Sequence, residues 1–382
     1  MGFTLTLSSS ERVREIESVL RLSSVPGVGT RGLWRILERF GSGWSALDAS
    51  PRELDAVAQK ECGGALASPA LDRRVRDALD RCRTHEIEVL LWTDEGYPEK
   101  LGHLVDPPPI LFARGRLELL GRPSVTIVGS RRSTGYGRRS AEALAAQMAL
   151  RGITVVSGLA LGIDGASHRG ALAAGGDTIA VLGSGVDLIQ PASHRRLGER
   201  VAREGLLLSE FLPGEPARAH HFPRRNRILA ALGSAVVVVE AAEKSGALIT
   251  VEHALDLGRD VYAVPGALDA PQSRGCNMLI RQGAQVITSP EEFGRDLGLV
   301  CGTSADFRPA PGSSSVAREV VPAGLDDEER RVWLALSERS LGIDDLASGA
   351  DLQSARVLAA LTILQLGGLV VQESGMRFRR AS

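Results

Sequence analysis

The sequence predicts an α/β chain: a parallel sheet covered by helices, preceded by a helical segment and followed by a small helix-plus-hairpin module. Three observations carry this. From Pro123 onward short apolar runs alternate with helical patterns, which requires crossover connections and a sheet buried on both faces. Small or glycine-containing turns follow the apolar runs, at Gly129, Ser157-Gly158, Gly183-Ser-Gly185, Ser209, Ser245-Gly246 and Pro265-Gly266. These turns share one edge of the sheet, where a binding crevice is expected. Finally, 382 residues exceed one ordinary domain, and the 43% apolar and 24% charged fractions are those of a soluble globular protein.

Taken in order, Val13, Ile16, Val19 and Leu20 give a first helix one apolar face, and Leu33, Ile36, Leu37 and Phe40 do the same for a second. The Pro26-Gly-Val-Gly29 turn between them resembles a helix-hairpin-helix, in which glycines let backbone N–H groups approach a DNA phosphate. A hairpin that only builds a small helical (SAM-like) domain accounts for the same pattern. The helical domain is expected to span 1–86. Residues 87–92 read as a strand, Asp106-Pro-Pro-Pro-Ile110 as an extended connector that cannot be helical, and 111–115 as a short strand. Further strands are expected at 124–128, 153–157, 178–182, 206–209, 235–239, 260–263 and 285–287. Helices are expected between them, near 137–151, 164–175, 193–204, 224–232, 247–257 and 276–282. The α/β domain is thus placed at 87–300. Prolines, serines and Gly312 mark 301–323 as a linker. Residues 324–382 read as three helices and a hairpin, as in a winged helix.

Net charge is −1, so no global field draws this chain to nucleic acid, and such binding needs a local patch. Only Lys60, Lys100 and Lys244 are lysines, so 42 of the 45 cationic residues are arginines. Cys62, Cys82, Cys276 and Cys301 show no disulfide or zinc spacing and read as reduced thiols. The charged N-terminal segment does not read as a signal peptide, and the most apolar stretch, Ile228 to Ala242, is too short to span a bilayer. A cytoplasmic protein with no metal, no cofactor and no membrane partner is expected.

The crevice chemistry comes from three segments. The first loop, Gly129-Ser-Arg-Arg-Ser-Thr-Gly-Tyr-Gly137, follows a strand and precedes a helix, so its backbone N–H groups and the positive helix end form a ready anion site. Its two arginines suit phosphate oxygens. In the second loop Asp164 and His168 lie four apart on one helical face. They are a candidate acid/base pair, or a helix cap and a packed side chain. The third segment, His220-His-Phe-Pro-Arg-Arg-Asn-Arg227, sets cations beside an aromatic, which suits a single strand whose bases stack. Dinucleotide binding is excluded because the first loop lacks G-x-G-x-x-G and the second strand ends without a carboxylate. Lys244-Ser245 follows Glu243 rather than glycine, so there is no Walker A loop.

I-V-G-S-R at 127–131, S-G-L-A-x-G-I-D-x-x-x-H at 157–168, F-P-R-R-N-R at 222–227, S-G-A-L-I-T at 245–250 and V-P-G at 264–266 together resemble the DNA-processing protein A (DprA/Smf) family. The resemblance implies an extended Rossmann-like fold that binds single-stranded DNA. It also implies a homodimer, and a role in loading the RecA recombinase onto incoming DNA during natural transformation. It implies a phosphate pocket at Gly129, Ser130 and Arg131, with a second wall of Ser157, Gly158, Gly162, Asp164 and His168. Arg224, Asn226, Arg227 and Lys244 are implied beside it. Where the family usually carries Tyr-Pro-x-x-Asn, this chain has Gln190-Pro-Ala-Ser-His194. A nucleotide-binding or nucleotide phosphoribohydrolase-type enzyme on a related sheet is the alternative. Its P-G-G-x-G-T-x-x-E motif is not reproduced here, since His253 stands where the glutamate would be and Glu252 one position before it.

Overall fold

The computed structural model describes residues 9–300, 325–336, 341–350, 352–366, 369–373 and 377–380. The expected linker at 301–323 and the glycine turn at 367–368 lie outside the described residues. The chain divides into two compact units, one ending at Ser313 and one beginning at Ser314.

The first unit is built on nine strands: β1 (Glu88–Leu91), β2 (Ile110–Gly115), β3 (Ser124–Val128), β4 (Thr154–Ser157), β5 (Thr178–Val181), β6 (Leu206–Ser209), β7 (Ala235–Val238), β8 (Asp260–Ala263) and β9 (Gln285–Val286). Their order across the sheet is β1-β2-β6-β5-β4-β3-β7-β8-β9. From β6 to β9 every neighbour is parallel, as the alternation requires. The first two strands depart from this, because β1 pairs antiparallel with β2 and β2 antiparallel with β6. The connector from Trp92 to Pro109 holds only the 3-10 turn Glu99–His103 and no crossover helix, so the chain returns antiparallel. Strand succession reverses between β3 and β7, which places a topological switch point there.

Val125 and Ile127 of β3 pack with Leu144, Met148 and Ile153 on one face of the sheet. Val128, Val156, Val236 and Val238 pack with Ile228 and Leu229 on the other. The helices Ser9–Ser23, Thr30–Phe40 and Pro69–Thr84 share a third cluster with the sheet, joining Leu20, Leu22 and Ile36 to Leu91, Phe112 and Leu207. Trp34 meets Trp92 edge-on at 5.5 Å, and its Nε1 donates to the Pro107 carbonyl at 2.6 Å. The proline connector therefore holds the N-terminal hairpin against the α/β body.

The second unit carries helices Asp327–Ala335, Ile343–Ala350 and Ser354–Leu366 and a three-stranded antiparallel sheet. Val332, Trp333, Leu361, Leu364 and Phe378 form its core. This is the helix-and-wing arrangement read from the sequence. Among the described residues no helix is long and apolar enough to cross a membrane.

Candidate nucleic-acid interface

At the switch point a cavity of about 620 Å³ opens, lined by the loops after β3, β4 and β7 and by the start of the helix His221–Leu232. Two contacts knit the first loop in place. The Ser130 N–H donates to the Glu240 carbonyl at 2.6 Å, and the Ile163 N–H donates to the Ser130 carbonyl at 3.3 Å. Gly162 makes the close approach possible. Its φ is +79°, and a Cβ there would collide with the Ser130 carbonyl and lie 2.9 Å from that of Arg131. Leu159, at φ 55°, holds the left-handed conformation that side-chain-bearing residues rarely adopt. The His194 Nδ1–H donates to its carbonyl at 3.0 Å and fixes that turn.

The start of the helix Gly135–Leu150 is not the open anion site expected from the sequence. Buried Glu240 already occupies it. Its carboxylate accepts from the Thr134 N–H at 2.8 Å and from the Thr134 hydroxyl at 2.5 Å, and the Thr134 Oγ1 in turn accepts from the Gly137 N–H at 3.1 Å. Glu240 thus closes the helix end, and the loop just before this helix is the part that stays open to an anion.

Arg131 and Arg132 are exposed and line the cavity. The Arg131 guanidinium lies over the Phe222 ring, 4.5 Å from its centroid. Arg225 supplies a third cation, but from inside: it is 3% exposed and its Nη1 donates to the Val181 carbonyl. Burial pulls its pKa down to about 10, so it stays charged at neutral pH. Asp164 is the one carboxylate among the described residues lining the cavity. Burial pushes it above the usual carboxylate range, against the pull of Arg225, the Ala160 N–H and Arg131. The wall is thus net positive, with an aromatic face at hand and a low floor of small residues (Gly129, Ser245, Gly246). It can hold an anion and stack a planar ring.

The structure brings Gly129, Ser130, Arg131, Asp164 and Asn226 to this cavity. Asn226 donates to the Gly246 carbonyl at 3.2 Å and so ties the helix start to the β7 loop. Gly158 lines a smaller neighbouring pocket of about 180 Å³ that it shares with Arg131, Phe222 and Gln190. Lys244 is exposed on the β7 loop and outside the cavity wall.

Four further expected site residues do not reach the crevice. Ser157 is fully buried and donates to the Ile127 carbonyl at 2.7 Å, stitching β4 to β3. His168 is fully buried under the helix Ile163–Ala173, 2.7 Å from the Thr178 hydroxyl. That hydroxyl gives its own proton to the Val155 carbonyl, so the His168 Nδ1 carries the hydrogen and Nε2 is left bare. Burial lowers the pKa of His168 to about 3, which removes it as a phosphate contact or an acid/base partner for Asp164. Arg227 is 4% exposed and pairs with buried Glu210 at 2.5 Å. Arg224 faces away from the crevice, bonded to Glu210 and to the Thr30 hydroxyl, both at 3.0 Å. The helical phase explains the split: Phe222, Arg225, Asn226 and Leu229 share the crevice face, and Arg224 and Arg227 fall outside it.

Sequence reasoning missed Arg225 as the cavity cation within its own cluster, and missed Glu240 and Gln272. The spacing from Phe222 was a usable signal for Arg225. Glu240 and Gln272, whose amide oxygen faces the Ser130 hydroxyl at 3.4 Å, reach the first loop only through the fold.

Residues 88–298 match the family described as DNA recombination-mediator protein A, and residues 316–376 match the DprA winged helix domain. The chain belongs to the DNA-processing protein A (DprA/Smf) family. Protein Smf of Synechocystis sp. is 35% identical over 390 residues, covering 94% of this chain and 98% of that protein. The X-ray structure of DprA from Streptococcus pneumoniae superposes with a TM-score of 0.61 at 33% identity, over 78% of this chain and 98% of that one. DprA from Helicobacter pylori, described for its unique single-stranded DNA binding mode, gives a TM-score of 0.52 at 30% identity, over 57% and 98%.

Proposed function

We propose that this chain is a non-enzymatic, cytoplasmic recombination mediator that binds single-stranded DNA, protects incoming strands and loads the RecA recombinase during natural transformation, acting as a homodimer. The observation that carries the reading is the crevice at the β3–β7 switch point. Three arginines, 131, 132 and 225, surround a cavity with Phe222 on its wall. A duplex hides its bases, whereas a single strand offers both phosphates and ring faces to such a site. The single-strand binding described for the Helicobacter pylori relative supports it.

The hydrolase alternative finds less support. Glu252 is exposed on the helix Ala247–Asp256 and lies outside the cavity wall, and Asp164 is flanked by cations rather than by a water-activating partner. The test has two arms. RecA filament assembly on single strands precoated with a single-strand-binding protein should accelerate when this protein is added. Incubation with nucleoside monophosphates should release no free base. Unchanged RecA assembly, or base release that depends on Asp164, would overturn the proposal.

A further inference from the structure

A second groove, of about 420 Å³, lies where the N-terminal hairpin meets the α/β body. Its walls carry Arg31, Arg35, Lys60 and Arg224 around the Gly27–Gly29 turn, against a single acidic residue, Asp106. Arg31, Arg35 and Lys60 are exposed, and none of them forms an ion pair with a carboxylate among the described residues. Asp106 faces Arg227 at 3.8 Å, and Glu210 is shared between Arg224 and Arg227, so neither acid neutralises the outer cations. Arg35 donates to the Ala58 carbonyl and Arg224 is tied to Glu210 and Thr30, so in a chain of net charge −1 Arg31 and Lys60 are the cations of this local positive patch that folding contacts among the described residues leave open.

Its position gives it a direction. Pro223 lines the central crevice, and the next residue, Arg224, lines this groove. Arg224 also bonds Thr30 of the hairpin, so one helix start separates the two sites by about its own width, on the order of 10 Å. A flexible strand leaving the crevice over Pro223 enters the groove within a few nucleotides.

We propose that this groove is a second phosphodiester contact, in which the N-terminal hairpin grips the same single strand that the crevice holds. The inference rests on the single-strand reading of the crevice and extends the strand's path onto residues 27–60. The groove has no exposed aromatic among its lining residues, so it takes the backbone and not the bases. Binding there should be insensitive to base sequence and sensitive to salt.

The test uses the full chain, oligo-dT of about 5 and about 30 nucleotides, and a salt series. Arg31→Ala/Lys60→Ala removes two exposed cations that make no hydrogen bond needed for folding. For the long oligonucleotide the salt dependence of log K should flatten by about 1.4, at about 0.7 per lost contact, with an affinity loss of about tenfold. The short oligonucleotide, which fills the crevice alone, should bind as wild type does. If the double variant binds both lengths like wild type while Arg131→Ala weakens both, the groove proposal falls and the crevice reading stands. Equal weakening on both lengths also overturns it, since the groove would then not be a continuation of the path. If neither variant changes binding, both readings fall.

Discussion

Gly158→Ala offers a sharp test of how the crevice is built. A Cβ at this position would lie 2.6 Å from Cζ and Nη2 of Arg225 and closer still to Nη1. The end of an arginine is normally free to swing away. Here it is not, because Arg225 is 3% exposed, donates to the Val181 carbonyl and lies beside buried Asp164. Overpacking alone costs about 1–3 kcal/mol. Loss of a hydrogen bond from a charged group costs about 1.5–3 kcal/mol. These overlap, so the expected destabilisation is about 2–5 kcal/mol, read as a lower guanidinium midpoint at unchanged slope. A double-mutant cycle isolates the cause: in an Arg225→Met background, Gly158→Ala should cost less than about 1 kcal/mol. Additive costs for the two substitutions would refute the packing argument, because they would mean that Arg225 does not rest on Gly158.

Three further outcomes follow from the same geometry. Arg227→Ala leaves Glu210 buried without its nearest partner, so it should destabilise by about 3–5 kcal/mol while the salt dependence of single-strand binding stays at its wild-type slope; a flattened slope would place Arg227 on the DNA after all. His168, held near 3 in the fold against about 6.5 unfolded, binds fewer protons when folded, so its contribution to stability is fully present above about pH 6.5 and is lost as pH falls toward 3. Over that window it amounts to about 4–5 kcal/mol at most, and His168→Gln should flatten the acid limb of a stability–pH curve; an unchanged limb would assign acid sensitivity elsewhere. In the winged unit Arg356, the one cation of its third helix, is paired with Glu328 at 2.5 Å, so a chain truncated after Val300 should keep single-strand affinity within about tenfold. A larger loss with the core still folded would make the wing a principal DNA contact.

The fold was legible because its elements are local. Each expected strand from 124 to 287 is present within a residue or two, since apolar runs bounded by small turns leave few alternatives. Strand order was not legible, nor was the antiparallel edge of β1 and β2, because pairing across the sheet leaves no mark on a single strand's pattern. The site was half legible. Gly129, Ser130 and Arg131 sit in one short loop, and their neighbourhood is their sequence. Arg224, Arg225 and Arg227 read alike in a row, but a helix turns each by about 100° from the last, and only Arg225 meets the cavity. His168 looked chemical from its spacing to Asp164, yet the helix that carries it turns it onto Thr178 and the sheet. The expected anion site at the helix start failed for a related reason: Glu240 comes from the loop after β7, more than a hundred residues later, and fills it from behind.

The most direct test of the central claim is the affinity of Arg131→Ala for single-stranded and duplex DNA across a salt series. Arg131 is exposed, stacks on the Phe222 face and lines both the crevice and the smaller pocket, so its removal should leave folding nearly unchanged. The account predicts that wild type prefers the single strand. It further predicts that the variant loses about 1–3 kcal/mol of single-strand affinity and about 0.7 of the salt slope. Wild-type affinity and slope in the folded variant would contradict it.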